Sequence, residues 1–210
     1  LPGSATSFPT PMPPDRRAPL ALKIVVAGGF GVGKTTLVGA VSEIPPLSTE
    51  EFLTTASSAA DSLAGVEAKT TTTVSMDFGR ISLDAPQPMR LHLFGTPGQD
   101  RFLFTWEDLA HGAIGAVILA DTRRLADSFT AVGYFLRQGL PFVVAVNEFD
   151  DAYHYTPDEV RDALELPQQT PVLLCDARKE RSVVAVLFAL VRHALTSAAT
   201  RRPTNAPGAP

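Results

Sequence analysis

Gly28-Gly29-Phe30-Gly31-Val32-Gly33-Lys34-Thr35-Thr36 spells G-x-x-x-x-G-K-[ST] in full, and its setting matters as much as its letters. The apolar run 20–27 leads in as a strand and residues 35–42 lead out as a helix, the order that a phosphate-binding loop requires. Glycines let the backbone curl so that successive N–H groups point inward, while the helix presents its positive end to the same spot. Gly31, Val32, Gly33, Lys34, Thr35 and Thr36 are therefore the phosphate-binding candidates. Lys34 is expected to reach phosphate oxygens as a point charge, and the Thr35 hydroxyl to be one ligand of an octahedral Mg²⁺.

Working outward, 210 residues suit one domain with frayed ends, large enough to bury a sizeable core. The net charge of −4 and the scattered Lys and Arg give no electrostatic footprint for nucleic acid. Cys175 is the only cysteine, which excludes an internal disulfide or a cysteine-based metal cluster and suits a reducing cytoplasm. No signal pattern or lipidation cysteine is visible, and no apolar run is read as approaching the ~20 residues of a membrane span. Membrane contact is accordingly expected only through partners.

Residues 1–19 are rich in Pro, Ser and Thr and read as a disordered tail, either a plain extension or a Pro-rich recognition segment. A single domain is expected over 20–198, with a loose tail over 199–210. Within the domain, 22–27 is apolar throughout, as in a strand covered on both faces. The stretch 46–68 is polar and long enough to be mobile or functional. Residues 74–83 alternate as a strand with one wetter face and pair as a hairpin with 90–94. Buried strands follow at 113–120, 141–146 and 172–174, with a helix carrying Leu125, Phe129, Val132 and Leu136, a capped helix from Thr156-Pro157, and a last helix carrying Val184, Leu187 and Val191. Six strands alternating with helices imply a three-layer α/β domain whose six-stranded sheet is mostly parallel with one antiparallel strand. Its polar tips fall at the C-terminal strand ends, the rim where such sheets bind ligands.

The ordered set of P-loop, threonine, Gly98-Gln99, Asn147-x-x-Asp150 and Cys175-Asp176-Ala177 resembles the Ras-like small GTPases over nearly everything between the tails. Within them, Met76-Asp77-Phe78-Gly79-Arg80 and Phe94-Gly95-Thr96-Pro97-Gly98-Gln99 look most like the bacterial G proteins of the conservon type, which are encoded beside roadblock-fold and sensor-kinase-like proteins. The resemblance implies a P-loop G domain that binds GTP or GDP with Mg²⁺. Asp150 would accept hydrogen bonds from guanine N1–H and its exocyclic amine, a pattern adenine cannot satisfy. Asn147 would contact the ring edge and tie this loop to the P-loop, Phe149 would lie beside the base, and the Ala177 N–H would meet the guanine carbonyl. Thr73, with Thr72 as the alternative in a run of threonines, would join Thr35 as a metal ligand only in the triphosphate state. Gln99 would orient the attacking water while the Gly98 N–H senses the terminal phosphate, so Gln99, Lys34 and Gly98 form the catalytic set.

Three departures from that pattern bear on mechanism. Gly95 stands where most relatives carry the aspartate that holds Mg²⁺ through water, which implies weaker metal binding. Glu148 replaces a lysine that covers the base, which implies faster nucleotide exchange. Phe30 fills the P-loop position that faces the terminal phosphate, leaving little room for an inserted arginine and implying slow turnover; Arg101 and Lys69 are candidate internal cations. His92, His111, His154 and His193 have no metal-ligand spacing. The sequence thus supports a slow cytoplasmic GTPase switch controlling roadblock-type partners. The alternatives are a guanine-nucleotide-bound scaffold with negligible hydrolysis, and a P-loop ATPase or kinase in which Asp150 is incidental.

Overall fold

The computed structural model describes residues 19–45, 47–53, 72–84, 88–98 and 100–201; the side chains of 47–53, 72–75, 100–102 and 201 lie outside that description. Also outside it are residues 1–18 and 202–210 of the expected tails, Lys69 and Gln99.

The apolar runs become β1 (Leu20–Ala27), β5 (Ala113–Ala120), β6 (Phe142–Asn147) and β7 (Val172–Cys175), all paired in parallel. The alternating pair becomes β3 (Thr72–Leu83) and β4 (Met89–Gly95), an antiparallel ladder. All six expected strands form. A seventh, β2 (Leu47–Leu53), pairs antiparallel with β3, so residues read as connecting loop extend the sheet at its edge. Its Ser-Thr-Glu-Glu centre lacks the apolar run of a strand covered on both faces, and an edge strand needs only one neighbour to complete its ladder. The spatial order is β2-β3-β4-β1-β5-β6-β7, in which β3 alone runs against the others.

Strand alternation sends β1 side chains to both layers of the core. Ile24 and Val26 pack with Leu37 and Val38 of α1 (Lys34–Val41) and with Val183, Val186, Leu187 and Leu190 of α5 (Glu180–Arg201). Val25 and Ala27 face the other layer. There they meet Trp106 of α2 (Trp106–Ala110), Val132 and Phe135 of α3 (Phe129–Gln138), and Val160 of α4 (Pro157–Ala163). By length and composition α5 is apolar enough to cross a membrane, a correction to the sequence reading. Val183, Val186, Leu187 and Leu190 on that helix cover the sheet, while Val184, Phe188 and Leu195 are exposed.

The helix expected around Leu125 begins later than its periodicity implies. Residues 122–128 form 3-10 turns broken at Arg124, whose φ of −143° and ψ of 50° are not helical, and α3 starts at Phe129. In α4 the expected cap is complete: the Thr156 hydroxyl accepts from the Glu159 N–H while the Glu159 carboxylate accepts from the Thr156 N–H.

β1 lies centrally between β4 and β5, at the point where the chain reverses its direction across the sheet. The loop after β1 therefore opens into the crevice at the C-terminal strand ends. Phe135 is fully buried and stacks on Trp106 with ring centroids 5.8 Å apart. Phe135→Ala is expected to cost about 3–5 kcal/mol in urea unfolding, and a cost under about 1 kcal/mol would contradict this account of the α3 layer.

Candidate nucleotide-binding site

The P-loop occupies the crevice in the form its glycines permit. Gly33 caps α1 in the left-handed region with φ 104°, and a Cβ there would lie 2.7 Å from Asn147 Nδ2. Gly28, at φ 140°, leaves no room either, since a Cβ would sit 2.5 Å from the Leu119 carbonyl oxygen. A side chain at either position would thus strain the backbone and push β5 or β6 away.

Lys34 is buried, and its ammonium donates to the carbonyl oxygens of Gly28 and Gly29, each at 2.8 Å. Burial pulls its pKa down to about 8, and the nearby Asp77 carboxylate offsets only part of that. The Thr35 hydroxyl hydrogen-bonds Asp77 Oδ2 at 2.7 Å. Asp77 is buried, and among the described residues its Oδ1 has no partner; neither has the hydroxyl of buried Thr96. Both residues line a hollow of about 320 Å³ with Phe30, Lys34, Thr35 and Gly98. Gly98 packs so closely on the loop that a Cβ would fall 2.8 Å from Phe30 Cα and 2.8 Å from Lys34 Nζ. Phe30 is 67% exposed, and its carbonyl accepts from Arg124 Nη2 at 2.9 Å.

A second hollow, about 460 Å³, is lined by Asn147, Glu148, Phe149, Asp150, Ala177 and Arg178, and shares Gly31, Gly33 and Thr36 with the first. Its key joint is Asn147. The side-chain amide donates to the Val32 carbonyl at 3.0 Å, and its oxygen accepts from the Ala177 N–H at 3.0 Å. One buried side chain ties three loops together, as the resemblance implied for the P-loop contact. The Ala177 N–H is thereby engaged by Asn147.

Arginines that the motif reading did not single out organise this rim. Arg178 binds Asp176 at 2.9 Å and reaches Asp150 at 3.2 Å, and these contacts with Lys179 hold the Asp176 carboxyl far below the usual range. Arg123 binds Asp121 and Asp151 and lies 3.9 Å over the Phe149 ring. Adjacent arginines among spaced carboxylates were visible in the sequence, but which acid each meets depends on loops brought together by β5, β6 and β7. The Glu148 carboxylate lies 3.8 Å from His154 Nδ1.

The expected site residues fall into three groups. Gly31, Val32, Gly33, Lys34, Thr35, Thr36 and Gly98 are gathered at the first hollow or its loop, and Asn147, Phe149, Asp150 and Ala177 at the second. Thr73 is placed in β3 opposite Phe52, with its side chain outside the description. Gln99 lies outside the described residues. Asp77 and Thr96 were missed as site residues; a carboxylate on the buried side of an alternating strand was the available signal for the first. A larger hollow, about 760 Å³, lies between Pro171 and the last turns of α5, away from every motif.

A P-loop nucleotide-binding domain of G-domain fold is what this rim defines. Residues 26–197 match the family described as "Conserved hypothetical ATP binding protein", and the chain belongs to that family. An uncharacterized protein of Methanocaldococcus jannaschii, MJ1339, is 28% identical over 131 residues, 61% of this chain and 71% of that protein. The cytosolic domain of the T. maritima FeoB iron transporter in apo form is similar in structure, with TM-score 0.57 and 17% identity over 83% of this chain. The match spans 64% of that domain, less than two thirds of it. The FeoB G-domain from Methanococcus jannaschii has TM-score 0.55 and 14% identity, covering 84% of this chain and 99% of that one. At such identities the likeness is one of fold.

Bound phosphate brings negative charge to Lys34 and raises its pKa from about 8, so the complex holds more proton than the free protein above that pH. Triphosphate affinity is therefore expected to fall as pH rises through about 8, with proton uptake on binding. Calorimetry at about pH 8.5 in buffers of different ionisation enthalpy reads this directly. Uptake that persists in Lys34→Met would contradict the assignment.

Proposed function

We propose that this chain is a GTP-binding switch that hydrolyses GTP slowly to GDP and phosphate and controls partner proteins through the nucleotide state of the residues around Thr73 and Gln99. The observation that carries the reading is the Asn147 joint: the hollow holding Asp150 opens onto the P-loop hollow through Gly31, Gly33 and Thr36. A purine beside Asp150 and phosphates along the loop belong to one ligand.

Base selection rests with Asp150. In the free protein its partner is Arg178, but both side chains are well exposed, and ion pairs in water are weak. Guanine donors can displace that contact, and a carboxylate rewards them with charge-assisted hydrogen bonds that adenine cannot form. This favours GTP over the ATP that the family's description names.

Lys34 and the loop N–H groups would hold the β- and γ-phosphates, and the hydroxyl of Thr35 with Asp77 Oδ1 and the Thr96 hydroxyl, both without a partner among the described residues, suits a hydrated divalent cation. When bound, Mg²⁺ supplies charge neutralisation across the β- and γ-phosphate oxygens. Gln99 is the residue for orienting water, and the Gly98 N–H for the terminal phosphate. Phe30, exposed at the mouth of the phosphate hollow, would leave little room for an inserted arginine, which supports slow turnover. Roadblock-type and sensor-kinase-like partners, a cytoplasmic location and membrane recruitment through those partners belong to the same proposal and rest on the sequence resemblance. The second reading, a guanine-nucleotide-bound scaffold with negligible hydrolysis, draws on the same Phe30.

GTP and ATP binding and single-turnover phosphate release, compared for wild type, Asp150→Asn and Gln99→Leu, separate the readings. Asp150→Asn should weaken GTP binding about 10–100-fold, the worth of one or two charge-assisted hydrogen bonds, and Gln99→Leu should abolish release. Guanine binding without release favours the scaffold. Preferential ATP binding by the wild type defeats both readings.

A further inference from the structure

The missing carboxylate at Gly95 has a replacement one strand away. We infer that Asp77 of β3 is the acidic residue that holds the nucleotide's divalent cation, in place of the aspartate that position 95 lacks. The inference rests on the nucleotide-binding reading above.

Register brings the two positions together, since Asp77 is paired with Gly95 across the antiparallel ladder. Space sets them in competition: a Cβ added at Gly95 would lie 3.0 Å from Asp77 Cβ and 3.1 Å from its Oδ2. A side chain at 95 would press the Asp77 side chain away by a few tenths of an ångström, whereas glycine leaves it in place. Chemistry points the same way. Asp77 is 6% exposed, and a carboxylate so buried is costly unless its oxygens are engaged. Oδ2 accepts from the Thr35 hydroxyl, itself a P-loop metal-ligand position, while Oδ1 has no partner among the described residues. The Thr96 hydroxyl is likewise buried without a partner among the described residues, and Asp77, Thr35 and Thr96 line one hollow with Lys34. Two orphaned oxygens beside a threonine hydroxyl are what a hydrated Mg²⁺ needs from a protein, because Mg²⁺ keeps several waters and takes only one or two carboxylates. The bonds recorded for the Lys34 ammonium go to the Gly28 and Gly29 carbonyls and not to Oδ1.

The test is GDP affinity with Mg²⁺ and with EDTA, for wild type, Asp77→Asn and the exchanged pair Asp77→Gly/Gly95→Asp, with folding checked by circular dichroism. Mn²⁺ bound per GDP, counted by electron paramagnetic resonance, is the second readout. Wild type should bind GDP more tightly with Mg²⁺. Asp77→Asn keeps an acceptor for Thr35 and should lose about 10–100-fold of metal affinity, so that its GDP affinity no longer differs between Mg²⁺ and EDTA as that of the wild type does. The exchanged pair should regain the metal dependence, which a merely structural role for Asp77 would not produce. A folded Asp77→Asn protein with wild-type Mg²⁺ dependence overturns the inference, as does an exchanged pair that folds and ignores Mg²⁺. Wild type that binds GDP equally in Mg²⁺ and EDTA also overturns it, while leaving nucleotide binding standing. No GDP binding in either condition brings down the functional reading and this inference together.

Discussion

The two hydrogen bonds of the Asn147 side chain are the constraint on which the rest of the site depends. One holds the Val32 carbonyl of the P-loop and the other the Ala177 N–H, so loops after β1, β6 and β7 are set relative to one another by a single buried amide. Such an amide in a low-dielectric interior is costly unless every bond is made, which makes it a rigid joint rather than a loose contact. Gly33 belongs to the same joint, because only a residue without Cβ lets the loop pass within reach of that amide.

Charge around this joint is arranged in two different ways. At the phosphate end Lys34 and Asp77 are both buried, and the lysine's depressed pKa records how much of its hydration has been lost before any ligand arrives. At the base end the charges are paired and wetter: Arg123 with Asp121 and Asp151, Arg178 with Asp176 and Asp150. The first end holds a poorly hydrated ammonium and, among the described residues, oxygens without partners; the second is already paired and can exchange one partner for another. A nucleotide, with its dense charge at one end and its hydrogen-bonding edge at the other, complements that asymmetry.

What could be read from the chain follows from where the information resides. The P-loop and the doubly covered strands are local, so Ile24 to Ala27 and Ala116 to Ala120 announce themselves by composition. β2 does not, since its central Glu50 and Glu51 break the apolar pattern and its place depends on pairing with β3. The start of α3 was misjudged because Leu125 shares its period while Arg124 interrupts its backbone. Asn147 and Asp150 were legible as a spaced motif, whereas the Arg123 stack on Phe149 joins residues from the ends of different strands. Gly95 looked like a simple loss for the same reason: its neighbour in space is Asp77, and only strand register reveals it.

The central claim is that one nucleotide spans both hollows, and the most direct measurement is a crystal structure of the chain bound to a non-hydrolysable GTP analogue. The account predicts phosphates along residues 31–36 and the base between Phe149, Asp150 and Ala177, with the Arg178 contact to Asp150 displaced. A base lying anywhere else, with Asp150 still held by Arg178, would contradict it.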